Sequence, residues 1–480
     1  MNILLGILIV LVLLVGGAYA LIKYKNRPPK PDLYEVFLKQ DTTPVGKVGI
    51  FVTGLIMPEN HSHAFFHNII KKINKVVIPW PINILTMRDK GIALLDPNNT
   101  HAREEFTPTH LEDAFGNDCD RDGVPYIELY KQGKVKWMPP SSRIYLDHGY
   151  FLYTGRLSGE PSLCGKVANK SRLYYYGHGI KQRKLPHWQQ TKEMLEKGFE
   201  IIKSKYNDVV CGWETGLIYW NMRKKLFEIL DQGIDTLIAS SPMGIYSHFE
   251  DFNSSFRHIF EYVEEWEKEH PGKKIKIIMA PQMGDFQPLR QAFLEMLKDR
   301  LDTLPEGSSV MVAVTCHGMP WDAFPWEAWL KQAPPYRDKL YEEVKELVGK
   351  YNFSKTRVVI CQDEFADPIW DPNEKYLSTN RAYWNAINDG FDYCIGLPIE
   401  FFAENSDTLM HHAMKNYQGF DDYDIEEPID YPDWSVPYTR QFKQNNTTVI
   451  YNGVPVGKYQ KYVVEAFVQS LESVLSKRKN

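Results

Sequence analysis

Apolar and polar residues alternate along most of the chain in two patterns, which predict buried strands and amphipathic helices in turn. Short runs of β-branched and other apolar residues are the candidate strands, and stretches with apolar residues at helical spacing separate them. The candidate strands are Val48–Thr53, Leu173–Tyr176, Val209–Val210, Lys274–Ala280, Val310–Thr315, Arg357–Cys361 and Tyr393–Leu397, with another ending at Ser240. Strands separated by helices of about 12 to 18 residues predict βαβ units and an α/β fold with parallel sheets.

The N-terminus carries an apolar run from Ile3 to Ile22 that contains no charged residue. A run of about twenty such residues matches the roughly 30 Å hydrocarbon core of a membrane, so it predicts one transmembrane helix. Basic residues follow the run between Lys23 and Lys30 and none precedes it, which predicts a single-pass protein with its main body in the cytoplasm. The alternative is a signal peptide cleaved after the Ala-Tyr-Ala sequence at 18–20.

Composition and charge narrow the class of function. The chain has 480 residues and a net charge of -5, and its basic residues are scattered, so nucleic acid is not an expected partner. The six cysteines form no CxxC pair, which argues against a zinc ribbon or a disulfide framework. The sequences typical of P-loop, zinc-protease, dinucleotide-binding and α/β-hydrolase sites are also absent. An aromatic content of 13% suits either a flat apolar ligand or a large core.

Ligands of open parallel sheets bind beyond the carboxyl ends of the strands. Four segments of this chain occupy such positions, at 177–179, 240–247, 315–320 and 398–407. In the third segment, Cys316, His317 and Gly318 follow a strongly apolar strand. Because neighbouring side chains of a strand point to opposite faces, we expect Cys316 in the core and His317 in a cleft.

Four motifs in the second half of the chain resemble, in order, those of the ferrochelatase family of class II chelatases. They are CHGMP at 316–320, PYRDKL at 335–340, ICQDEFADPIWDP at 360–372 and GLPIEFFAENSDTL at 396–409. The resemblance implies two Rossmann-like lobes with parallel sheets and a porphyrin cleft between them. It also implies a lyase of haem biosynthesis that inserts Fe²⁺ into a porphyrin, with the iron as a substrate and no permanently bound cofactor.

The resemblance sets the expected domain organisation. Residues 1–30 would be the membrane anchor and linker, and residues 31–300 the first lobe, with an insertion at about 89–142. Residues 301–430 would be the second lobe, and residues 431–480 a C-terminal segment and helix that pack back on the body.

The resemblance also implies roles for individual residues. His317 would act as the base or a metal ligand, and Asp407 would be the opposing carboxylate and a metal ligand. The family has Glu at the position of Asp407, and at that of Asn405 it has a His that varies among chelatases. Asp is shorter than Glu by a reach of about 1.5 Å. Glu404 is therefore a further candidate metal ligand. The candidate substrate-binding residues are Gly177, His178, Tyr246, Met319, Trp370, Pro372 and Phe402.

Two alternatives remain open at this level. The shorter Asp407 and the changed Asn405 are also compatible with a catalytically impaired homologue that binds haem or a metal ion. A chelatase that inserts Co²⁺ or Ni²⁺ into another tetrapyrrole would fit the same motifs. In all cases the expected partners are a tetrapyrrole, a divalent metal ion and, through the N-terminal run, a membrane.

Overall fold

The structure is a computed structural model. It describes residues 15–21, 27–28, 30–59, 65, 69, 136–137, 152–153, 180–182, 184–318, 326–363, 377–409 and 429–478. The strands are β1 (Val48–Gly54), β2 (Lys136–Trp137), β3 (Leu152–Tyr153), β4 (Val210–Thr215), β5 (Thr236–Ser240), β6 (Lys276–Met279), β7 (Ser309–His317), β8 (Lys355–Asp363), β9 (Leu377–Ser378), β10 (Tyr393–Pro398), β11 (Arg440–Gln444) and β12 (Thr447–Tyr451). The helices are α1 (Leu33–Lys39), α2 (His187–Lys205), α3 (Tyr219–Leu230), α4 (Phe256–Glu269), α5 (Gln287–Leu301), α6 (Trp329–Val348), α7 (Thr379–Asn388) and α8 (Gln460–Leu475).

The first sheet has the strand order β4-β1-β5-β6, and every neighbouring pair is parallel. Every residue of β1 is buried, which explains why its sequence is apolar without alternation. After β5 the chain passes through a loop into the π-helix His248–Ser255, which continues directly into α4. This π-helix therefore begins near the carboxyl end of the first sheet.

The second sheet has the strand order β11-β12-β10-β7-β8-β9. Its pairs are parallel except for β11 with β12, which is antiparallel at the edge. The strand β7 lies between β10 and β8, and its apolar residues from Val310 to Val314 are fully buried. The parallel first sheet and the mostly parallel second sheet confirm the predicted α/β class and fit two Rossmann-like lobes.

A shared core joins the two sheets. One cluster of buried apolar side chains includes Val52 and Ile238 of the first sheet together with Val312 and Ile395 of the second. The lobes therefore meet through a buried apolar interface, which holds the carboxyl ends of their strands in a fixed relation to each other.

The C-terminal segment contributes to both lobes. Its strand β12 pairs with β10 in the second sheet, whereas α8 packs against α2 and α5 of the first lobe. At this contact the ring of Phe467 lies 5.8 Å from that of Phe199. The boundaries predicted for the lobes stay predictions.

Several sequence-based predictions fall on residues that the structure does not describe. Within the described ranges no helix has the length and apolar character to cross a membrane. The predicted span Ile3–Ile22 lies mostly outside those ranges, apart from a helical stretch at 15–21. The predicted strand Leu173–Tyr176 lies wholly outside them.

Candidate active site

His317 lies at the carboxyl end of β7, an inner strand of the second sheet. His317 is the last residue of β7, and in the parallel register it is opposite Asp363, the last residue of β8. Residues paired in this way project to the same face, so Asp363 is the lateral neighbour of His317. The preceding Cys316 is 2% exposed within the core, which confirms its prediction as a core thiol. The ring of Phe401 meets the imidazole edge-on at 6.1 Å.

The loop after β10 presents Asp407 through a capping arrangement. Asn405 Oδ1 accepts a hydrogen bond from Thr408 N at 2.9 Å, and Asn405 N donates to Thr408 Oγ1 at 2.8 Å. These reciprocal bonds make Asn405 the N-cap of the short helical turn that follows. Asp407 lies within that turn and is not its cap. Asn405 therefore caps this turn, at the position that corresponds to the variable His of the resembling family.

A pocket lies between the two lobes beside this loop; its cavity volume is about 30 Å³, or about 380 Å³ when the open solvent at its mouth is included. The first lobe contributes Leu55, Met57, His187, Pro242, Met243 and Glu250 to its lining. The second lobe contributes Glu400, Phe401, Phe402, Ala403, Asn405 and Asp407. The predicted residues Asp407 and Phe402 thus share one pocket, together with three ionisable residues that the sequence analysis did not assign to the site.

Glu250 is the first of these additional residues. It lies on the π-helix, whose N-cap Ser247 accepts a hydrogen bond from Glu250 N at 2.8 Å. Burial raises the pKa of Glu250 to about 8, with His317 opposing the rise and Asp251, Glu400 and Asp407 adding to it. Glu250 therefore lies within the electrostatic field of both His317 and Asp407, although it belongs to the other lobe.

Glu400 is the second. Its Oε2 accepts a hydrogen bond from Trp329 Nε1 at 3.2 Å, whereas its buried Oε1 has no hydrogen-bond partner among the described residues. Burial raises the pKa of Glu400 to about 7, while His317 and the Trp329 hydrogen bond act in the opposite direction. Two buried carboxyl groups, one from each lobe, therefore lie within electrostatic range of His317.

Glu404 occupies a different environment from Glu400. Its oxygens accept hydrogen bonds from Tyr451 OH at 2.8 Å and Val454 N at 3.2 Å, and its own N–H donates to Gln190 Oε1 at 2.8 Å. These bonds tie the loop to the C-terminal segment and to α2. The pocket lining does not include Glu404, so its suggested role as a metal ligand stays a prediction that its contacts do not favour.

Tyr246 is also placed away from the pocket. Its side chain is fully buried, its ring packs edge-on against Phe252 and Phe256, and its hydroxyl donates to Pro281 O at 3.5 Å. The suggestion that Tyr246 contacts substrate stays a prediction, which its full burial and ring packing do not favour. The sequence placed Tyr246 correctly in a loop after a strand, but it could not show that this loop folds inward.

The remaining substrate-binding candidates lie outside the described residues. They are Gly177, His178, Met319, Trp370 and Pro372. Within the described ranges there is no group of three or more His, Cys, Asp or Glu side chains arranged to hold a metal ion. The assignment of His317 and Asp407 as metal ligands stays a prediction.

Comparison with known proteins agrees with the motifs. No protein-family model matches the chain. A ferrochelatase of Trichodesmium erythraeum (strain IMS101) is 24% identical over 197 residues, which are 40% of this chain and 47% of that protein. The match thus spans about half the length of this relative. It confirms the resemblance of this chain to the chelatases that the four motifs indicate.

A solved structure, SirB from Bacillus subtilis with Fe³⁺, also matches part of the chain. The match covers 60% of this chain and 88% of SirB, at 12% sequence identity and a TM-score of 0.33.

Proposed function

We propose that this chain inserts a divalent metal ion into a tetrapyrrole, and that its specific reaction is the insertion of Fe²⁺ into a porphyrin during haem biosynthesis. The observation that carries the proposal is the pocket between the lobes. Asp407, Glu250 and Glu400 line this pocket, and the strand-end His317 lies within the electrostatic influence of both glutamates. The resemblance to a ferrochelatase supports the choice of iron and porphyrin.

The chemistry of insertion fits this set of side chains. One dication enters the macrocycle and is bound by the four ring nitrogens. Two pyrrole N–H protons leave the macrocycle. A neutral His317 imidazole can accept one proton, and the Asp407 carboxylate can accept the other. One dication replaces two protons on the macrocycle, so these two residues can keep the total charge of the buried site constant, which avoids the cost of an uncompensated charge.

The additional carboxyl groups can compensate for the shorter side chain of Asp407. Asp407 lacks one methylene of the family's Glu, but Glu250 and Glu400 bring two further carboxyl groups to the same pocket. We infer that the acidic character of the site is distributed over three side chains, so loss of length at one position does not abolish it. This supports an enzyme over the alternative of an impaired binding protein.

Metal insertion can be tested directly in the body of the protein that lacks residues 1–30. The protein is incubated without oxygen with Fe²⁺, Co²⁺ or Zn²⁺ and several free-base porphyrins, and the absorbance change on metallation is followed. We expect the wild type to react fastest with Fe²⁺. If wild type, Asp407→Glu and His317→Ala are equally inactive with every metal while porphyrin or haem still binds, the protein is a binding protein and the enzyme proposal fails.

Membrane attachment is part of the proposal and rests on the sequence alone. Porphyrins and haem are apolar and partition into membranes, so attachment to a membrane would bring the enzyme close to its substrate and product. The basic residues after Ile22 predict that a reporter fused after residue 480 lies on the cytoplasmic side. Digestion of that reporter by protease added outside intact cells would contradict the orientation and favour cleavage after residue 20.

A further inference from the structure

His187 is the third ionisable residue of the pocket that the sequence analysis did not assign. It is the first residue of α2, and its Nδ1 accepts a hydrogen bond from Met57 N–H at 2.8 Å. Met57 follows β1, so this bond joins two elements of the first lobe at the pocket wall. Because Nδ1 accepts the hydrogen bond from the backbone N–H, the proton of the neutral imidazole must reside on Nε2.

The environment keeps this imidazole neutral. The ring is partly exposed toward the pocket but otherwise enclosed by protein, and this burial lowers its pKa to about 3. A neutral ring whose Nδ1 is already engaged has one polar atom left for the pocket, the Nε2–H donor. His187 and the carboxyl groups of Glu250, Glu400 and Asp407 line the same pocket.

The same hydrogen bond excludes two other functions of a histidine. To act as a base or a metal ligand through Nε2, His187 would have to move its proton to Nδ1. Two N–H groups, from the ring and from Met57, would then face each other within 2.8 Å in a buried place. His187 therefore differs from His317, to which the proposed reaction assigns proton transfer, and can serve only as a hydrogen-bond donor.

We propose that His187 donates its Nε2–H to an unprotonated ring nitrogen of the bound free-base tetrapyrrole. This inference rests on the proposed function. The described lining of the pocket contains three carboxyl groups and no lysine or arginine, so it offers no cation to compensate a negatively charged edge of the substrate. A free-base macrocycle offers neutral acceptors instead, because two of its four nitrogens carry no proton.

This assignment has a consequence for the product. In the metallated macrocycle all four nitrogens use their lone pairs to bind the metal, so the acceptor for His187 is lost. The hydrogen bond would therefore favour the substrate over the product and assist product release. Such selectivity can be measured by binding alone, without turnover.

The experiment compares the dissociation constants of a free-base porphyrin and of its zinc complex by fluorescence titration. In His187→Asn the side-chain oxygen can still accept from Met57 N–H, but the Nε2 donor is removed. We expect free-base binding to weaken roughly five- to tenfold, as for loss of one hydrogen bond, and binding of the zinc complex to change less than about twofold. His187→Gln, which places an amide N–H near the former Nε2, should recover part of the free-base affinity.

The outcomes separate the inference from the proposed function. If the wild type binds neither porphyrin, the proposed function fails. If both ligands bind and His187→Asn weakens them equally or not at all, the donor role of His187 is wrong. A dimethyl ester of the same porphyrin identifies the acceptor: if the His187→Asn defect disappears with the ester, the donor binds an edge carboxylate and the ring-nitrogen assignment is wrong. A thermal melt of each variant reports whether the fold is retained.

Discussion

The loop after β10 carries two buried glutamates four residues apart, and their surroundings differ. Burial raises the pKa of both Glu400 and Glu404 to about 7. Glu404 has a donor at each oxygen, from Tyr451 and Val454, whereas Glu400 Oε1 has none among the described residues and its side chain lines the pocket. A raised pKa alone therefore does not identify a functional carboxylate. The number of hydrogen bonds distinguishes the two residues: Glu404 belongs to the structural side of the loop, where its oxygens are bonded, and Glu400 to the pocket side.

The largest effect expected on the pocket side is that of His317→Ala. Removal of the base should lower the rate of metal insertion at least a hundredfold, since general-base catalysis typically contributes that much, while porphyrin affinity stays within a few-fold of the wild type. The rate is measured by porphyrin absorbance and the affinity by fluorescence quenching. His258→Ala is a matched control, because that histidine lies on α4 beside Glu261 and does not line the pocket. Equal rates in both variants would place the catalytic base elsewhere.

Substitution of Glu404, on the structural side of the loop, should lower the free energy of unfolding. Glu404→Ala leaves Tyr451 OH and Val454 N without their buried acceptor, which should lower the free energy of unfolding by about 2 to 3 kcal/mol. Glu400→Gln should change it by less than about 1 kcal/mol, because the amide oxygen can still accept from Trp329 Nε1. Urea denaturation of both variants provides the comparison. A larger loss of stability in Glu400→Gln than in Glu404→Ala would reverse the assignment of the two sides.

The pH dependence of stability extends the comparison to Glu250 in the other lobe. Its pKa is about 8 in the folded protein and near the usual 4.5 in the unfolded chain, so between these values only the unfolded state releases the proton. This group should therefore lower the free energy of unfolding as pH rises from about 5 to about 8, by up to about 1.4 kcal/mol per pH unit. In Glu250→Gln that contribution is absent, so the variant should gain stability relative to wild type as pH rises. Parallel stability profiles from urea denaturation at three pH values would contradict the burial of an ionisable Glu250.

The smallest effect is expected at the cap of the loop. Asn405→Ala removes the acceptor of Thr408 N and should cost about 1 kcal/mol. Asn405→Asp retains a capping oxygen and serves as the control. Asn405→His introduces the variable His of the resembling family and should also lose the cap. A fully stable His variant would show that the turn does not depend on the cap. Thermal denaturation of the three variants is the measurement.

The sequence predicted the strands β1, β4 to β8 and β10 because their apolar pattern is local, whereas β9, β11 and β12 were not predicted. The run around β7 identified both a buried strand and the position of His317 at its end, and the motif after β10 identified Asp407 and Phe402. Glu250 could not be found in this way, because its relation to His317 depends on how two lobes meet. Glu400 and Glu404 could not be told apart, because an irregular loop has no period that assigns side chains to faces.

The sequence did not reveal the environments of Tyr246 and His187, for related reasons. Tyr246 follows a strand like a binding residue, but packing against Phe252 and Phe256 turns it inward. His187 is the first residue of a helix and resembles any surface residue in the sequence, until the backbone of Met57 fixes its ring. In both cases the deciding contact lies far away in the chain or within the packed lobe.

The docking of α8 on α2 affects the order in which the protein can form during synthesis. Gln460 Nε2 donates to Gln190 O across 270 residues of chain, and the same C-terminal segment supplies β12, which pairs with β10. The ribosome synthesises α2 long before α8. Until α8 has been synthesised, the apolar face of α2 around Phe199 lacks its packing partner. Chaperone binding to this face during translation, and its release once residue 475 has emerged, would be the cellular signature of that delay.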